Sequence, residues 1–169
     1  PIDFQTPETY EAIVAKGVDL YKDIPNNILK SIQSYSERYY KLLQSLLTHH
    51  PNNCNILMAM CVSEESKSLL DAKKIKDLWC VVCLAEPQML TLSEHFLSSE
   101  DYTEVCIYVR DRNCRSILYL TPTLLSLEHY IQAYESRAVT PVELVKVLPI
   151  QYQTLDIALY CIKGTTNLM

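Results

Sequence analysis

Apolar residues recur along this chain at the three- and four-residue spacing of one helix face. In TPETYEAIVAKG, residues 6–17, Tyr10, Ile13, Val14 and Gly17 fall at i, i+3, i+4, i+7. In YSERYYKLLQSLL, residues 35–47, Tyr39, Leu42, Leu43 and Leu46 do the same, and Tyr35 extends the stripe backwards. Thr6 and Ser36 stand where N-caps belong, with Glu8 and Glu37 near the positive end of each helix dipole. Proline marks the boundaries. Pro7, Pro25, Pro51, Pro87, Pro122, Pro141 and Pro149 all fall where a helix starts or stops.

The pattern repeats. QTPETYEAIVAKG, residues 5–17, and QTLDIALYCIKG, residues 153–164, open and close alike, and each ends on one of the chain's two glycines. Gly17 and Gly164 are placed for the left-handed residue that closes a helix. The next segments match as well: VDLYKDIP from Val18 and VELVKVLP from Val142 share Val-acid-Leu-x-Lys-x-aliphatic-Pro, and SILYLTP from Ser116 keeps its outline. Further first-helix segments are DLWCVVCLAEP from Asp77, YTEVCIYVRD from Tyr102 and SLEHYIQAYES from Ser126. The spacing predicts an all-α, solenoid-like stack of about five to six helical hairpins of roughly 26 residues, each a medium helix and a short one. The whole of residues 1–169 reads as one helical-repeat domain, with its least regular stretch across residues 50–72. The chain stops in TTNLM, partway through a unit, as expected of a piece of a longer protein.

QTPETYEAIVAKGVDLYKDIP and the stretch from VELVKVLP to CIKG resemble the short helical repeats found in Legionella-type secreted bacterial effectors. The resemblance covers about a quarter of the chain and implies a bacterial protein delivered by a specialised secretion system into the cytosol of a host cell. It transfers no catalytic residues, because its motif consists of helix caps and core positions.

Composition narrows the function classes. The net charge is −5, with 10 acidic and 9 basic residues in 1–84 and 10 and 6 in 85–169. That balance argues against a nucleic-acid polymer, which needs a basic face. No apolar run approaches the ~18–20 residues of a membrane span. Seven cysteines, mostly inside apolar helical runs, read as reduced thiols in a reducing compartment.

Twelve tyrosines against two phenylalanines and one tryptophan suit a groove or an interface. Tyr35, Tyr39 and Tyr40 cluster, and Tyr130 and Tyr134 form an i, i+4 pair. RDRNCR, residues 110–115, is the densest positive patch; Arg112 and Arg115 are its candidates for a phosphate or carboxylate. The first functional reading is a binding module that engages a protein partner of host or bacterial origin through these tyrosines. The alternative is an adenine-nucleotide or cyclic-nucleotide site, with facing tyrosines stacked on the base. Against both stands core packing of the rings.

Cys80 and Cys83 in WCVVC could hold zinc, but a structural site needs four ligands, and only His49, His50, Cys54 and Cys61 remain to complete it. They read as small core residues. KKIK, residues 73–76, reads as a solvated helix start. Two isolated glycines make no phosphate loop, and no serine sits in a nucleophile elbow. No catalytic residue, metal or cofactor is assigned, and an enzyme is the least favoured class.

Overall fold

The computed structural model describes residues 6–63 and 68–154. Among them the protein is all-helical, with nine α-helices and no strand. In chain order these are α1 (Pro7–Val14), α2 (Asn26–Gln33), α3 (Ser36–His49), α4 (Asn55–Val62), α5 (Ala72–Ala85), α6 (Leu90–Ser93), α7 (Ser99–Arg110), α8 (Leu127–Glu135) and α9 (Pro141–Val147). No described helix is long and apolar enough to cross a membrane.

The cap chemistry explains most boundaries. The Thr6 hydroxyl accepts from the Thr9 amide at 3.3 Å, and Pro7 takes the first helical position of α1. Gly17 lies at φ +82°, and the Val18 amide reaches back to the Ile13 carbonyl, which closes the helix as its position predicts. Gly164 lies outside the described residues. Asp71 caps α5 by accepting from the Lys74 amide at 2.8 Å. Thr140 and Glu143 form a reciprocal capping box on α9.

Two expectations need correction. Ser36 is the first helical residue of α3 rather than its cap; the cap position falls on Tyr35, which offers no side-chain hydrogen bond. Only Ser34 and Tyr35 link α2 to α3, so the extended residue must be Tyr35 (φ −118°). Its side chain therefore leaves the buried stripe and is 61% exposed. The second expectation concerns the short element of each unit. VELVKVLP forms α9, but the matching VDLYKDIP gives only a 3₁₀ turn, Tyr21–Asp23, and SILYLTP lies along another, Cys114–Leu118. Thr140 and Pro141 start a helix with a capping box, whereas Val18 follows a left-handed glycine and has no cap.

The chain divides into two compact units between Val105 and Cys106, within α7. In the first, Leu43, Leu46 and Leu47 of α3 are fully buried, as are Leu78, Trp79, Val82 and Cys83 of α5. Each leucine and valine among them contributes about 1.5–3 kcal/mol relative to exposure. Trp79 stacks on Phe96 at 5.9 Å between ring centroids. In the second unit, Ile117, Tyr130, Ala133, Leu144 and Leu148 make a smaller core where α8 and α9 meet the Cys114–Leu118 turn.

Candidate functional site

Three helices of the first unit share a direction, which their end contacts reveal. At its start, α1 offers Glu8 and Glu11 to Arg38 near the start of α3: Arg38 Nε donates to Glu11 Oε1 at 2.9 Å, and Nη2 donates to Glu8 Oε1 at 2.8 Å. Past the end of α1, the Gly17 carbonyl accepts from His50 Nε2 at 2.8 Å, at the end of α3. So α1 and α3 run parallel, with α2 returning the chain. The same holds one helix on. Glu37 and Lys74, in the first turns of α3 and α5, pair at 3.1 Å. Cys54 and Met89, in the turns after α3 and after the Ala85 end of α5, bring their sulfurs to 3.9 Å.

Lys76 of α5 extends the row to the first turns of α7, pairing with Asp101 at 3.2 Å and with Glu104. The Glu104 carboxylate and then Asp101 push the Lys76 pKa upward, while Ser98 first and Lys76 second hold Asp101 below the usual carboxylate range. The KKIK segment is therefore a seam. Lys74 and Lys76 are only 23% and 19% exposed, held by partners that lie 25 to 37 residues away and that no local pattern discloses.

Between α1 and α3 lies an open groove of about 580 Å³. Glu8, Glu11, Ala12 and Ala15 line one wall at i, i+3, i+4, i+7; Arg38, Lys41, Leu42 and Ser45 repeat that spacing on the other. Glu11 first and Glu8 second raise the Arg38 pKa, and Glu8 is lowered by its own backbone amide and then by Arg38. The guanidinium thereby stays charged, with its charge balanced by the two carboxylates. No tyrosine lines this groove.

The predicted tyrosines do not converge into a clamp. Tyr39 is buried, its hydroxyl 2.9 Å from that of Tyr21, and burial pushes the Tyr21 phenol well above its ordinary range. Tyr40 is half-buried beside Lys74, whose Nζ lies 5.7 Å from the ring centroid. Tyr35 alone of the three stands in solvent, with Arg38 at 6.0 Å. In the second unit Tyr130 is buried against Tyr152, ring centroids 6.2 Å apart, and Tyr134 is half-buried. Tyr39 and Tyr130 spend their rings on the core, because each sits on the inward stripe of its helix.

The arginines diverge too. Arg110 pairs with Asp111 at 2.8 Å and donates to the Leu124 carbonyl at 3.0 Å. Arg112 folds back over Tyr108, 3.9 Å from its centroid, and Arg115 reaches Glu143 at 3.7 Å. Each has its own partner, so no common anion site forms. Cys83 is buried and Cys80 half-buried along α5. Among the described residues no group of histidine, cysteine and carboxylate side chains has metal-site geometry. His50 is committed to Gly17, and His129 to the capping box at Ser126.

A surface feature the tyrosine count did not suggest lies on α9. Leu144 and Leu148 face the core, while Val142 and Val145, one turn apart, are 65% and 53% exposed. Ile150, in the turn that follows, is 84% exposed. The signal was present in VELVKVLP, whose Val142 and Val145 are the valines that turn away from the Leu144–Leu148 face.

No protein-family model matches the chain, and neither a curated protein nor a solved structure shows significant similarity to it.

Proposed function

We propose that the chain is a helical-repeat binding module that engages a protein partner. The observation that carries this reading is the exposed aliphatic set Val142, Val145 and Ile150. Short helices that leave branched aliphatic side chains in water on one face, with the core satisfied on the other, suit a partner that removes them from solvent. The parallel run of α1, α3 and α5, tied at matching ends, supports a repeat stack as its framework. Delivery into a host cell is the part of the proposal that rests on the sequence resemblance alone.

The adenine-nucleotide reading has less support. It needs two tyrosine faces open to a cleft, and Tyr39 and Tyr130 are buried while the α1–α3 groove has none. Affinity capture from host lysate tests the choice. The wild-type chain should retain a defined protein that Val142→Asp with Val145→Asp loses, at an unchanged melting temperature. Equal retention by both chains would remove the aliphatic set from the account.

A further inference from the structure

We propose that α1 is a strap that lifts away from α2 and α3 while the rest of its unit stays folded. An isolated helix needs roughly 12–15 residues to persist in water, and α1 has eight. It is helical because it is docked. Yet of those eight residues only Val14 is buried, against five in α3.

The docking is also incomplete. Along one side the two helices leave the open groove of about 580 Å³, lined by Ala12 and Ala15 of α1 and by Leu42 and Ser45 of α3. Besides buried Val14, what holds α1 and its link is polar and sits at the ends: Arg38 between Glu8 and Glu11, His50 on the Gly17 carbonyl, and Asn53 donating to Asp19 at 3.0 Å. Glu8 is 69% exposed and Arg38 33%, so salt screens the first of these.

A pivot and a stop are in place. Gly17 at φ +82° begins the link, and the 3₁₀ turn Tyr21–Asp23 has no buried residue. The chain is pinned within that turn by the Tyr21–Tyr39 hydroxyl contact and just after it by buried Ile24. Opening therefore runs from the start of α1 to about Leu20 and uncovers Leu42 without breaking the α3–α5 packing.

Hydrogen exchange by mass spectrometry on the whole chain tests this. Amides of residues 11–17 should exchange at least about a hundredfold faster than those of 42–47, as expected for a local opening. Arg38→Met should speed the first set by roughly two- to fivefold, the scale of a partly exposed ion pair, and leave the second unchanged. Should that variant unfold throughout, added sodium chloride on the wild-type chain replaces it, with acceleration expected in 11–17 alone. If 11–17 and 42–47 exchange together in the wild-type chain, or if salt leaves 11–17 unchanged, α1 is part of the core and the strap is refuted.

Discussion

Arg137 ends α8 in the same left-handed conformation that Gly17 takes after α1, with φ at +58° in one and +82° in the other. The Ala138 amide reaches back to Ala133 just as Val18 reaches back to Ile13. An arginine Cβ in that conformation crowds the backbone, at a cost of about 1–2 kcal/mol that glycine avoids. Arg137→Gly should therefore stabilise the protein by about 1 kcal/mol, the larger unfolded-state entropy of glycine taking back part of the gain. A urea midpoint shifted upward at constant m-value checks it.

Gly17→Ala should do the reverse and lose more. Beyond the strain at φ +82°, the new Cβ would sit 3.2 Å from His49 Cγ. A loss of about 1–2 kcal/mol is expected from the backbone alone, read from the same denaturation curves. If α1 opens as a strap, part of this loss appears as faster exchange in residues 11–17 rather than as a lower midpoint.

Two tyrosine hydroxyls in similar burial have opposite roles. Tyr39 shares a hydrogen bond with Tyr21, while the buried Tyr130 hydroxyl finds no hydrogen-bond partner among the described residues. Tyr39→Phe should cost about 1–3 kcal/mol, because it strands the Tyr21 hydroxyl. Tyr130→Phe removes an unpaired polar group and should be neutral or stabilising by up to about 1 kcal/mol. Melting temperatures of the two variants should move apart from the wild-type value in opposite directions or, for Tyr130→Phe, stay level.

Glu143 gives a pH dependence of defined sign. The Thr140 backbone amide first and its hydroxyl second hold the carboxyl below its ordinary value of 4.5. A depressed folded-state pKa means stability that is complete above 4.5 and lost as pH falls through the lower folded value. The urea midpoint should fall between about pH 7 and pH 3, and fall less in Glu143→Gln, which keeps the acceptor without the charge. Parallel slopes in both chains would remove Glu143 from the acid response.

Much of the helical pattern could be read from local residues, because caps and stripes are local. Thr6, Pro7 and Gly17 fix α1, and Leu42, Leu43 and Leu46 are buried where their spacing puts them. The one-residue error at Ser36 arose because two adjacent residues compete for a cap, and linker length decides. Identical patterns in VDLYKDIP and VELVKVLP gave a turn and a helix, since the preceding glycine or threonine governs the start. The partners of Arg38, Lys74 and Lys76 were illegible for another reason: each lies on a different helix, and only packing brings it close. Arg137 was within reach, as the repeat places it where Gly17 closes α1.

The claim that the exposed valines of α9 meet a protein is tested most directly by site-specific photo-crosslinking in cell lysate. Benzoylphenylalanine placed at Val145 should give one discrete crosslinked species, while the same group at Lys41, on the rim of the α1–α3 groove, should give none. A product from Lys41 with none from Val145 would contradict the account and move the binding surface to the first unit.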